Sequence, residues 1–186
     1  MARSSNSISK LKIPALAKKF IQETWGISEL YPPQEEAVIP VLNGENTLIS
    51  IPTASGKSLI AYLGIIHNLL IQNIGSKAVY IVPLKALAAE KFFELSEIGK
   101  FLGLKVGLSL GDREGENTDI NNADIIVCTS EKFDSLMRNR PEVMQGLSII
   151  IAFQFLSLLD QFANVEEKEK AVNDNGYIMG KNSKLT

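Results

Sequence analysis

Beyond residue 45, short β-rich runs alternate with longer stretches of helical periodicity. That alternation restricts the chain to α/β architecture, because strands joined by crossover helices must lie parallel. The pattern predicts strands at residues 46–51, 78–82, 105–110, 123–128 and 147–152. Helices are expected at 57 to about 71, at 84–101 and at 131–138, with two more ahead of the first strand at 13–24 and 33–42. The second of these opens on Pro33, which suits a first helical turn. Residues 113–122, rich in Asn, Asp and Gly, read as a polar loop. Parallel sheets with right-handed crossovers bind ligands outside the carboxyl ends of their strands, so function is sought in the turns that follow each strand.

Composition narrows the field further. A chain of 186 residues has room for one domain plus a short remainder, and its 45% hydrophobic content is enough for a real core. The longest nearly apolar runs, 59–71 and 148–159, are shorter than the roughly 20 residues that cross a bilayer, so no membrane span is expected. The first twelve residues carry scattered charge and no signal-like apolar stretch, which points to a cytoplasmic protein. Cys128 is the single cysteine and His67 the single histidine, excluding an internal disulfide and the usual Cys/His zinc shell. Both read as core residues, one at a strand end and one on a packed helix. The net charge of -2 is uneven: Arg3, Lys10, Lys12, Lys18 and Lys19 give the first 20 residues +5 and leave -7 for the rest. This basic arm is either a solvated face or a contact to backbone phosphates.

The turn after the first predicted strand reads Ile51-Pro52-Thr53-Ala54-Ser55-Gly56-Lys57-Ser58 and runs straight into a helix. Small residues between a strand and a helix let successive backbone N–H groups close around a phosphate, and the helix N-terminus adds its positive dipole end. Thr53, Ala54, Ser55 and Gly56 supply that cradle. Lys57 is placed to reach the β and γ phosphates and to act in catalysis, and the Ser58 hydroxyl to coordinate Mg²⁺. The strict pattern has Gly six residues before Lys57, where this chain has Ile51. Upstream, Leu30-Tyr31-Pro32-Pro33-Gln34 is a proline turn opening a helix. Its Gln34 also carries the two-headed amide that can pair with adenine, so the two readings stand side by side.

With these segments in order, the chain resembles the amino-terminal motor domain of superfamily 2 helicases of the DEAD/DEAH-box type, most closely the archaeal Ski-like DNA-repair helicases. The 30–34 segment resembles the family's Q motif, and 51–58 its phosphate-loop variant with an apolar residue in place of the first Gly. Val82-Pro83-Leu84-Lys85-Ala86-Leu87-Ala88 resembles motif Ia, Leu110-Gly111-Asp112 the glycine-aspartate turn, and Thr129-Ser130-Glu131-Lys132-Phe133-Asp134 motif Ib. The resemblance implies a RecA-like domain with ATP and Mg²⁺ as cofactors. It also implies a single strand of DNA, with RNA not excluded, held by Pro83, Lys85, Gly111, Asp112, Thr129 and Lys132. Thr129 and Ser130 alternatively serve only as helix caps, and the lysines only as solvated charge.

The resemblance also implies an Asp-Glu pair directly after the fifth strand, to hold Mg²⁺ and orient the attacking water. Here that strand runs into Phe153-Gln154-Phe155-Leu156, and the nearest acid downstream is Asp160. No later segment resembles the family. The expectation is therefore a basic arm and helix over 1–25, a partial ATP-binding domain over 26–152, and a divergent tail over 153–186. The tail is expected to be helical from 154 to about 172 and then disordered. The implied function is ATP and single-stranded nucleic-acid binding by a truncated helicase motor domain without a second motor domain. The alternatives are a non-catalytic nucleotide-binding or interaction module, or a decayed fragment without hydrolysis.

Overall fold

The structure, a computed structural model, describes residues 7–50, 56–111, 118–153 and 180–181. Helices α1 (Ala15–Glu23), α2 (Pro32–Asn43) and α3 (Lys57–His67) come first, and a π turn, Asn68–Gln72, ends α3. Strand β1 (Lys77–Val82), helix α4 (Lys85–Leu102), strands β2 (Val106–Ser109) and β3 (Ile125–Thr129), helix α5 (Ser130–Asn139) and strand β4 (Leu147–Ala152) follow. A two-residue strand, β5 (Gly180–Lys181), completes the sheet. The strand order is β2-β3-β1-β4-β5, with the first four strands parallel and β5 antiparallel to β4. The α/β sheet expected from the sequence is thus present.

The sheet is buried on both faces, which is why its strands are nearly continuous apolar runs rather than alternating ones. The two-residue period of β1 sends Ala78, Tyr80 and Val82 toward α3 and α4, where they join Ile65, Leu95, Val127 and Ile151 in one core. Val79 and Ile81 point the other way, into a core with Ile126, Cys128, Leu136 of α5 and Met144. A third core, built from Ile8, Phe20, Ile21, Val38, Ile60 and Leu63, fastens α1 and α2 to the outer side of α3. Sandwiched in this way, α3 is buried along its whole length from Leu59 to His67, an all-round burial that suits its apolar sequence. Gly64 permits the close approach of α2, since a Cβ there would lie 2.6 Å from Val41 Cγ1.

Among the described residues, one expected element is not formed. Residues 46–50, read as part of a buried central strand, run as irregular chain with a lone bridge residue at Thr47, and Leu48 is 55% exposed. The reason lies in the sheet. Both sides of β1 are taken, by β3 and β4, so a strand ahead of α3 can join only at an edge. Ile149 and Ile150 on the outer edge of β4 pair instead with Lys181 and Gly180. Among the described residues the 46–50 segment has no partner strand, and without one it has no ladder to stabilise it there. The expected tail helix at 154–172 lies outside the described residues. Among the described residues no helix is long and apolar enough to cross a membrane. His67 and Cys128 are core residues, as expected: His67 contacts the Lys12 carbonyl through Nδ1, and Cys128 has no exposed surface.

Candidate functional site

Because α3 returns to β1 through residues 68–76, it runs against the strands, and its first turn lies toward their carboxyl ends. Gly56 caps α3 at φ +71°, a left-handed conformation that glycine adopts without steric cost. Among the described residues no side chain caps the helix and no acid stands in its first turn, so none of them offsets its positive dipole end. Gln34, only 3% exposed, meets this turn directly. Its Nε2 donates to the Gly56 carbonyl at 3.3 Å, while its Oε1 accepts from the Tyr31 N–H at 2.9 Å. A Cβ on Gly56 would sit 2.1 Å from Gln34 Nε2. The chain therefore brings the 30–34 segment and the 56–58 turn into contact. Thr53, Ala54 and Ser55 lie outside the described residues.

Beneath this turn is a polar group that sequence reasoning missed. Ser58 and Tyr62 are one helical turn apart on α3, and the Tyr62 ring lies 6.0 Å from that of Tyr80 on β1. The Tyr62 hydroxyl donates to Glu94 of α4, and Glu94 accepts from Lys91 at 3.1 Å; Lys91 also pairs with Glu90 at 2.7 Å. Lys91 is 6% exposed, and its Nζ is paired with both carboxylates. Burial, reinforced by Tyr80 and Glu94, pushes the Tyr62 phenol above its ordinary range, and burial does the same to Tyr80. Lys91, as hydrogen-bond and charge partner, holds the Glu90 carboxyl below the usual range. A tyrosine four residues after Ser58, and another inside an otherwise apolar strand, were the available signals.

The described ones among the expected nucleic-acid residues lie on the same side of the sheet. Val82 and Thr129 are paired in register at the ends of adjacent strands, which brings the first turns of α4 and α5 side by side. Pro83 and Lys85 are exposed, and no acid stands in the first turn of α4. Thr129 caps α5, accepting from the Lys132 N–H at 3.4 Å, and Glu131 occupies that first turn. Gly111 is half-buried near the end of β2, and Asp112 lies outside the described residues. Where β2 and β3 end, a cavity of about 340 Å³ is lined by Ser109, Asn121, Lys132, Ser135 and Arg140, among others. Arg140 donates to Asn121 Oδ1 at 2.6 Å and contacts Glu142 at 3.4 Å.

The sequence profile of the DEAD/DEAH box helicases matches residues 31–152, most of the described chain. The chain belongs to the DEAD/DEAH box helicase family. Among curated relatives, the ATP-dependent DNA helicase Hel308 of Pyrococcus horikoshii is 46% identical over 145 residues, 77% of this chain and 20% of that protein. The Hel308 of Methanocella arvoryzae is 45% identical over 150 residues, 78% of this chain and 20% of that protein. The chain thus spans about a fifth of the length of these relatives. Among solved structures, an S. cerevisiae Dbp5 variant bound to RNA and ADP BeF3 superposes with a TM-score of 0.68 at 22% identity, over 93% of this chain and 44% of that one. That likeness is one of fold, and it is the RecA-like fold of this family's motor domain.

Against the family, the turn after β4 is the point of departure. Phe153 follows Ala152, donates its N–H to the Ile81 carbonyl at 2.8 Å and packs against the core shared by α3 and α4. An apolar ring thus stands where the helicase resemblance places the first acid. Among the described residues no group of three His, Cys, Asp or Glu side chains is gathered to hold a metal ion. What the described part of the site offers a cation is the Ser58 oxygen. This fits Mg²⁺ only when nucleotide phosphates and water complete its octahedral shell.

Proposed function

We propose that residues 26–152 form the ATP-binding motor domain of an ATP-dependent DNA helicase-like protein of the cytoplasm, with 1–25 and 153–186 as flanking segments. The contact that carries this reading is Gln34 on the Gly56 carbonyl, at the start of the helix that continues with Lys57 and Ser58. In this reading Thr53, Ala54, Ser55 and Gly56 surround the phosphates, Lys57 neutralises the β and γ groups, and Ser58 holds Mg²⁺. Mg²⁺, when bound, withdraws charge from the same phosphates.

Single-stranded DNA runs across the first turns of α4 and α5, held through its backbone by Pro83, Lys85, Gly111, Asp112, Thr129 and Lys132. The Hel308 names support DNA, and the RNA in the Dbp5 structure makes RNA the competing strand. Phe153 at the turn after β4 supports a second reading, a nucleotide-binding module that does not hydrolyse. Without a carboxylate there, neither the metal nor the attacking water is oriented from that strand.

Calorimetric titration with ATP and with GTP tests the proposal. ATP is expected to bind, and Lys57→Ala to weaken ATP about tenfold or more while leaving adenosine unaffected, because Lys57 addresses only the outer phosphates. Gln34→Ala separates two roles. Reading adenine requires Gln34 to leave the Gly56 carbonyl, and its loss would erase a preference for ATP over GTP. Bracing the loop predicts an equal loss for both nucleotides. An unaltered chain that takes up no ATP overturns the proposal.

A further inference from the structure

The cavity where β2 and β3 end follows one face of α5. Lys132, Ser135, Leu136, Asn139 and Arg140 line it at the three- and four-residue intervals of a single helix stripe, so it runs beside the helix for about 12 Å. Its volume of about 340 Å³ is at the small end of ligand sites. Ser109 forms the floor. A Cβ on Gly107, two residues earlier on β2, would meet Ala123 and Ile120, and the period of the strand turns Ser109 to that same face, where Ile120 and Ala123 share a core with Leu136. Ser109 is fully buried, and among the described residues its hydroxyl finds no hydrogen-bond partner. An unpaired buried hydroxyl costs free energy that an occupant of the cavity recovers by bonding to it.

The charges around this cavity balance, which decides what kind of occupant fits. Arg140 pairs with Glu142 at 3.4 Å, and Lys132 shares the lining with Asp119, whose carboxylate accepts from the Asn121 N–H at 3.1 Å and from Asn122 Nδ2 at 2.9 Å. With Ile120 and Leu136 as buried apolar walls, the interior suits a neutral flat ring with a polar edge better than a phosphate. Asn139 donates to Ser135 at 3.3 Å and has its amide oxygen as an acceptor besides; Asn121 accepts from Arg140 at 2.6 Å and has its amide NH₂ as a donor.

We propose that this cavity takes up one base of a single-stranded nucleic acid, turned out of the strand while its phosphate stays at the first turn of α5. The strand is the source of the base because the cavity begins at Lys132, in the turn that the reading above assigns to the backbone. The inference rests on that nucleic-acid reading and adds a base contact to a surface otherwise limited to phosphates. Ile120 and Leu136 cover the faces of the ring, and Ser109, Asn121 and Asn139 pair with its edge. A hydroxyl and two amides donate and accept alike, so the cavity admits a base without selecting one.

The test is fluorescence anisotropy of the full 186-residue chain with two labelled strands of equal length, oligothymidylate and a strand of abasic sites. The thymidylate strand is expected to bind about tenfold tighter, the worth of one buried ring and one hydrogen bond. Ser135→Leu fills the cavity from α5 and is expected to bring the two affinities within about twofold, with binding of the abasic strand unchanged. Ser109→Ala is expected to narrow the gap about threefold. Because Ser109 gives up no partner among the described residues, that variant should keep its thermal midpoint, and it carries the test if Ser135→Leu fails to fold. Free thymidine, which lacks the backbone phosphates, is expected to compete only weakly; competition as strong as that of the strand would assign the cavity to a free nucleoside and overturn the proposal. Equal binding of the two strands by the unaltered chain, or a folded Ser135→Leu or Ser109→Ala chain that keeps the full gap, overturns the base cavity and leaves the nucleic-acid reading standing. A chain that binds neither strand overturns that reading, and this inference with it.

Discussion

Cys128 sits in the middle layer of the molecule, and burial alone pushes its thiol up to about 12 from an ordinary 9.0. A raised value in the fold means that stability is fully present below pH 9, where both states hold the proton. It is lost progressively as pH rises toward 12, because the unfolded chain ionises first. Tyr62 and Tyr80 are raised in the same direction and add to the loss above pH 10. The expected thermal midpoint is flat from pH 7 to 9 and falls beyond it. At pH 8 the buried thiol should react with iodoacetamide about a thousandfold more slowly than in the urea-unfolded chain; labelling within tenfold of the unfolded rate would place Cys128 at the surface. That Cys128 and His67 belong to the core was legible from the sequence, since each falls inside an apolar run. Lys91 and Glu94 were not. A charged residue on a long helix ordinarily reads as solvated, and only the packing of α4 against α3 and β1 reveals that this lysine is enclosed.

Among the elements, the joint between α2 and α3 is the most tightly specified. Gly56 is held left-handed with Gln34 where a side chain would be, so Gly56→Ala is expected to cost about 1–2 kcal/mol for the backbone alone, and more while Gln34 remains. Gln34→Ala removes the reciprocal cap on α2 and should cost about 1 kcal/mol. Urea unfolding of both single variants and the double variant should show the pair less destabilised than the sum by about 0.5 kcal/mol or more. Strict additivity would mean that the two residues do not touch. The sequence announced this joint through two motifs 22 residues apart, because each has its own local signature, a proline-opened helix and a small-residue turn. It misled at 46–50, where apolar residues suggested a strand. A strand exists only by virtue of its neighbour, and the β4 edge is paired with residues 180–181 instead.

On the scale of the whole molecule, four parallel strands direct the first turns of α3, α4 and α5 to one edge, which is why the described residues of motifs scattered over residues 30–134 lie on one side of the sheet. The alternation of runs made this arrangement readable before any contact was known, since right-handed crossovers leave few other topologies. The departure after β4 was equally readable as Phe153 and Gln154, and the structure adds that Phe153 packs, half-buried, against the core shared by α3 and α4. The proposal at this scale is a motor domain that holds ATP, and Phe153 after β4 favours the reading in which it does not turn ATP over. Phosphate release by the purified 186-residue chain, at saturating Mg²⁺ and ATP with and without single-stranded DNA, tests it most directly. The account predicts release no faster than in protein-free buffer from a sample that binds ATP calorimetrically; turnover at about 1 s⁻¹ or faster, abolished by Lys57→Ala, would contradict it.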